Sequence, residues 1–154
     1  MGIPPTARYI RDAHFQHARF MCTGEQLAEV IATCTSADPE LIWWAADVEV
    51  TESRDFWSPY ATHAPALLGG AGQFLSKVRT VDQFLRGVFL GRRSHSQDQP
   101  CRNGGFWTED DDPTDEGGNQ VELRVFDTSY FILYSCDEAI LAALSLRFYS
   151  EEQQ

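Results

Sequence analysis

The chain has 154 residues, 43% of them hydrophobic and 12% aromatic, which suits one folded core and excludes a largely disordered protein. No apolar stretch approaches the roughly 20 residues that span a bilayer, which excludes a helical membrane protein. The net charge of −11 is lopsided, with 10 acids and 9 bases in residues 1–97 but 13 acids and 3 bases in residues 98–154, so the second part repels nucleic acid and anionic membranes and attracts cationic proteins.

Residues 1–19 lack a basic flank leading into an apolar run and a cleavage site, so no secretion signal is expected and the expected compartment is the cytoplasm. They read as a loosely packed arm on a single domain spanning 1–154. Cys22, Cys34, Cys101 and Cys136 lie far apart with no CxxC pair, which predicts reduced thiols.

The first clear element is a helix in "CTGEQLAEVIATCTSADPE". Thr23 and Gln26 form a capping-box signature, Leu27, Val30 and Ile31 recur at helical spacing, and Asp38-Pro39 stops the run. "LIWWAADVEV", residues 41–50, reads as a strand buried on both faces at its start and alternating through Val48 and Val50. Residues 51–72 carry Pro59, Pro65 and three glycines and read as a long loop, of the kind that often has a function. A second capping-box signature, Thr80 to Gln83, predicts a short helix, followed by a strand at 87–91. Residues 92–120 read as a second polar loop.

The strongest signal is "VELRVFDTSYFILYS". Two β-rich runs, 121–126 and 129–135, flank Asp127-Thr128, which suits a tight antiparallel turn. Phe131 and Leu133 fall on one face of the second run and Tyr130, Ile132 and Tyr134 on the other, and Phe131 is expected in the core. Trp43, Trp44, Phe126 and Tyr134 are expected to pack inside as well. A terminal helix follows, with Ile140, Leu141, Leu144 and Phe148 on one stripe. These elements predict an α+β fold: an antiparallel sheet of about four strands, helices packed against it, and two long loops.

Known chemical motifs are missing. A calcium loop starting at Asp112 would need glutamate where Leu123 stands, and Pro113 stiffens its start. His14 and His17 have spacing that can share a helix face, but His63, His95 and the cysteines add no second motif, so no metal site is expected. There is no GxSxG elbow, and "LLGGAGQFL" lacks both the Lys-Ser/Thr of a P-loop and the third glycine of a dinucleotide fingerprint. Asp47 and Glu49 alternate along a strand, a spacing more often found in a polar strand end than in an acid–base pair. No catalytic residue and no cofactor are predicted.

One segment stands out. "TEDDDPTDEGG" places Glu109, Asp110, Asp111, Asp112, Asp115 and Glu116 within eight positions without a basic residue, and their mutual repulsion costs stability unless something offsets it. Aromatic residues lie beside the loops: Trp57 and Tyr60 in the first, Phe106 and Trp107 opening the second. Aromatic anchors next to a charged rim are what a protein-binding surface uses for affinity and steering. The expectation is a surface that binds a basic protein and adds nothing to the fold's stability.

The order of "LIWWAADVEV", "VDQFLRGVFLG" and "VELRVFDTSYFILYSCDEAILAALSLRF" resembles the small acidic immunity proteins encoded beside bacterial polymorphic toxins of the Rhs, type VI and contact-dependent kinds. The resemblance spans roughly residues 20–149. It implies a cytosolic, non-enzymatic protein that covers the active site of a cognate toxin, as a monomer or in a 1:1 complex with it. It brings no binding residues of its own. The alternative reading is a small-ligand-binding or enzymatic domain using a cavity near the 51–72 loop.

Overall fold

The computed structural model describes residues 4–15, 19–51, 55–93, 99–114 and 118–149. The capping box at Thr23 forms: Thr23 Oγ1 accepts the Gln26 N–H at 3.2 Å and Gln26 Oε1 accepts the Thr23 N–H at 3.1 Å. It opens α1, Gly24–Ala37, which buries Leu27, Val30, Ile31 and Cys34 along one face. Strand β2, Leu41–Val50, has the expected bounds.

The fold is α+β, with six antiparallel strands among the described residues where about four were expected. Their order is β1-β6-β5-β4-β2-β3. The two additional strands are the edges. Part of the expected N-terminal arm is β1, Thr6–Ile10, which pairs with β6, and Ile10 is buried in the core. The expected loop 51–72 contains β3, Ala66–Gly70, and helix α2, Ala71–Arg79, follows it directly. Gly69, at φ 101°, takes a backbone conformation that L side chains avoid, and Gln73 Oε1 accepts the Gly70 N–H at 2.8 Å. Those glycines therefore turn a strand straight into a helix.

Thr80 ends α2 and does not begin a helix. Its hydroxyl donates to the Lys77 carbonyl at 2.8 Å, and the chain proceeds into β4, Phe84–Arg93, longer than the expected 87–91. Pairing with β2 on one side and β5 on the other overrides the local helix signal. The hairpin of β5, Val121–Phe126, and β6, Tyr130–Ser135, forms as expected. Asp127 and Thr128 both have positive φ, 41° and 60°, the requirement of a type I′ turn. Asp137 accepts the N–H groups of Ala139 and Ile140 and opens α3, Glu138–Leu144, which widens into a π turn at Ser145–Tyr149. No helix among the described residues is long and apolar enough to cross a membrane.

Helices α1, α2 and α3 lie on one face of the sheet. Leu27, Ile31, Phe74, Val78, Ile140 and Leu144 meet Trp43, Phe89, Leu123, Val125, Phe131 and Leu133 there. Phe131 is fully buried, as its register requires. Strand β2 keeps this face apolar through a bulge between Ala46 and Glu49. Leu41, Trp43 and Ala45 point to the helices, and after the bulge Val48 and Val50 do so. The opposite face carries Trp44, Ala46, Val88, Leu90, Glu122, Arg124, Ile132 and Tyr134. Most of it is buried too, and what covers it is the loop before β5.

Candidate partner-binding surface

The acidic run crosses the outer face of the sheet as a strap that begins in a turn, the Asp110 N–H donating to the Trp107 carbonyl at 3.2 Å. Thr108 sits above β2 and β4: its N–H donates to Asp47 Oδ2 at 2.9 Å and its hydroxyl accepts the Gly87 N–H at 3.0 Å. Above β5, Arg124 donates to the carbonyls of Asp110 and Asp111, at 2.7 and 3.0 Å. Above β6, Tyr134 donates its hydroxyl to Asp112 Oδ1 at 2.7 Å. Phe106, Thr108 and Asp110 thus face the sheet and Asp112, though exposed, reaches it through Tyr134, while Trp107, Glu109 and Asp111 face solvent.

Buried guanidinium groups offset the like charges. Arg124 is 1% exposed and pairs with Glu122 at 2.7 Å, and Arg102 pairs with Glu122 and, at 3.3 Å, with Asp110. Burial opposes the charge on Arg102, but Glu122 and Asp110 outweigh it and hold the guanidinium above its ordinary value. Burial, reinforced by the bond to Asp112, pushes the Tyr134 phenol up. Asp110 Oδ2 also accepts the Trp107 N–H at 3.0 Å, which fixes the backbone where the exposed tryptophan begins.

A second set of contacts anchors the start of the strap. Asp47, in the β2 bulge at φ 54°, lies 3.4 Å from His63 Nε2. The His63 ring stacks on Trp107, with centroids 3.2 Å apart and planes 17° from parallel. The His63 carbonyl accepts the Phe106 N–H at 2.8 Å, and Gly105, at φ 84°, lies so close that a Cβ there would come within 2.8 Å of His63. The stacked pair divides two clefts. One, of about 370 Å³, is lined by Asp47, Glu49, Arg86, Glu109, Phe126 and Asp127. The other, of about 400 Å³, is lined chiefly by Ala64, Pro65, Pro100 and Phe106.

The structure separates the expected site residues. Trp107 is 44% exposed, and Glu109 and Asp111 are exposed beside it. Phe106 is 1% exposed, packed on Ala46, Val88 and Leu90, so it supports the surface from below. Trp57 and Tyr60 are buried in the main core, with Trp57 edge-on to Phe84 at 5.3 Å and the Tyr60 hydroxyl on the Leu67 carbonyl at 2.8 Å. They offer no anchors to a partner; their Pro/Gly-rich neighbourhood is a turn that folds back onto the core. Asp110 and Asp112 are fastened to Arg102 and Tyr134, which corrects the expectation that the whole run adds nothing to the fold. Asp115 and Glu116 lie outside the described residues.

Sequence reasoning missed Arg102, Glu122, Arg124 and His63. A signal for two of them was present: Glu122 and Arg124 alternate on the side of β5 opposite Leu123 and Val125. Asp47 and Glu49 line one cleft, but Asp47 serves as a backbone acceptor and Glu49 pairs with Arg86 at 3.0 Å. Among the described residues no group of three or more His, Cys, Asp and Glu is placed to hold a metal ion. His17 and His95 lie outside them. No disulfide joins Cys22, Cys34, Cys101 and Cys136, and burial pushes the Cys22 thiol up to about 12.

Fold and surface together define an α+β protein that displays acidic and aromatic groups on a strap across the outer face of its sheet. No family model matches the chain, and neither the curated proteins nor the solved structures yield a match.

Proposed function

We propose that this chain binds a basic protein and neutralises it, as an immunity protein that covers the active site of a cognate toxin in the cytoplasm. The observation that carries the reading is the split along the strap: Asp110 and Asp112 fasten it, while Trp107, Glu109 and Asp111 are held facing solvent. A fixed acidic surface loses little freedom on binding, and its field accelerates encounter with a cationic partner. An exposed tryptophan on a rigid support is a favourable anchor.

The test is co-expression with the toxin encoded by a neighbouring gene. The chain should restore growth, and a Glu109→Gln/Asp111→Asn variant should associate more slowly at low salt while melting no lower than the parent. Absence of protection by the parent overturns the immunity reading; unchanged association at low salt overturns the electrostatic mechanism. One observation favours a second reading, a small-ligand-binding domain: the apolar cleft beside His63. Native mass spectrometry of protein purified from cells would reveal a retained small molecule.

A further inference from the structure

We propose that the two clefts flanking the stacked His63–Trp107 pair receive neighbouring side chains of the basic partner, an apolar anchor in one and a cationic group in the other. This rests on the reading of a basic protein partner and specifies where and how it is held. The apolar cleft is built for such an occupant. Phe106 forms its floor and Ala64, Pro65 and Pro100 line it. Its polar neighbours are already engaged: Gln99 Nε2 donates to the Pro65 carbonyl at 2.7 Å, and Arg102 is held by Glu122 and Asp110. His63 is turned toward Asp47. Apart from the Cys101 thiol, a weak hydrogen-bonding group, an apolar side chain entering there covers no polar side chain that is not already engaged, the condition under which burial gives its benefit.

The second cleft fixes the chemistry of the neighbour. Four carboxylates, from Asp47, Glu49, Glu109 and Asp127, line it together with a single cation, Arg86, which is already paired with Glu49. Asp47 is engaged by Thr108 and His63, so Glu109 and Asp127, both exposed, are the groups presented to an incoming charge. Phe126 and Trp107 supply aromatic surface on which a guanidinium can lie. An anchor pocket beside an aromatic residue with a charged rim is the arrangement that concentrates binding energy at protein interfaces. A second copy of the chain meeting this surface face to face would bring like charges together, so the occupant is a different, basic protein.

The experiment is a titration of the full-length chain, followed by amide NMR, with three peptides: Ac-Gly-Arg-Leu-Arg-Gly-NH₂, the same peptide with glycine for leucine, and the same peptide with glutamate for both arginines. The leucine peptide should shift Ala64, Gly105 and the Trp107 indole. It should bind about tenfold or more tighter than its glycine counterpart, the ratio expected from burying one leucine side chain. Ala64→Trp, at an exposed position, should abolish that advantage without lowering the melting temperature. Glu109→Gln/Asp127→Asn should weaken both arginine peptides alike. Equal binding of the leucine and glycine peptides overturns the anchor cleft, and equal binding of the arginine and glutamate peptides overturns the cationic one. Against the toxin itself, a parent that protects and an Ala64→Trp variant that protects equally well would leave the immunity reading standing and remove this site.

Discussion

Replacing Arg124 with methionine keeps most of the aliphatic stem and deletes the guanidinium that holds the strap. In the folded protein that group donates to Glu122 Oε2 at 2.9 Å through Nε and to the carbonyls of Asp110 and Asp111 at 2.7 and 3.0 Å. Its removal leaves Glu122, itself 4% exposed, dependent on Arg102 alone, and leaves two carbonyls without their donor. Breaking a buried ion pair from one side costs about 3–5 kcal/mol. Against a total stability of about 5–15 kcal/mol that is a large share. At about 2–4 °C per kcal/mol for a chain of this size, the melting temperature should fall by about 6–20 °C.

Urea unfolding followed by far-ultraviolet circular dichroism measures the loss, and two companions locate its source. Arg86→Met removes a pair of similar length, 3.0 Å to Glu49, between side chains that are both about half exposed, and should cost about 1 kcal/mol or less. The double variant Glu122→Leu/Arg124→Met removes the stranded carboxylate together with its partner and should be more stable than Arg124→Met alone. If Arg124→Met costs no more than Arg86→Met, the network does not hold the strap and the outer face is covered by apolar packing alone.

Phe131→Ala should cost about 3–5 kcal/mol in the same assay, since the ring is fully buried between the helices and the sheet; a parent-like melt would refute the register of β6. Asp112→Ala should lower the urea midpoint by removing the acceptor of the Tyr134 hydroxyl, whereas Asp111→Ala, whose side chain faces solvent, should leave it unchanged. Stability should hold up to about pH 9 and then decline. Burial raises the Cys22 thiol from 9.0 to about 12 and also pushes up Tyr134, so the fold keeps protons that the unfolded chain releases, and the decline runs from the ordinary values up through the raised ones. A urea midpoint that stays level between pH 9 and about pH 11 would show that these groups titrate normally in the fold.

Local chemistry made much of the fold legible. Thr23 with Gln26, the 41–50 run, the Asp127-Thr128 turn and the stripe after Asp137 each carried its own signal, and each element formed. The failures occurred where one local pattern has two structural outcomes. Thr80 and Gln83 repeat the capping spacing of Thr23 and Gln26, yet Thr80 closes α2, because a threonine hydroxyl can donate back to a helix as readily as it can cap one. Gly69 and Gly70 mark a change of direction without saying whether a loop or a strand-to-helix junction results. Trp57, Tyr60 and Phe106 stood among prolines and glycines, and only the long-range packing on Phe84, Leu67 and Val88 decides that they are inside.

The site was less legible for a related reason. Composition treats the carboxylates of the acidic run as equivalent, whereas the turn at 107–110 and the side chains beneath the strap sort them. Asp110 and Asp112 reach the guanidinium of Arg102 and the phenol of Tyr134, whereas the side chains of Glu109 and Asp111 are left for solvent. Only 3 basic residues occur in 98–154, and two of them, Arg102 and Arg124, are spent beneath the strap rather than on the surface. Two of the three cations of this part of the chain therefore lie under its carboxylates, where they offset their repulsion and fix the backbone. The same placement leaves Glu109 and Asp111 on the outward face of the strap beside Trp107, with no cation among the described residues of the run. A loop kept only for solubility needs no buried arginine to hold its backbone; a surface meant to meet a basic partner in one fixed geometry does.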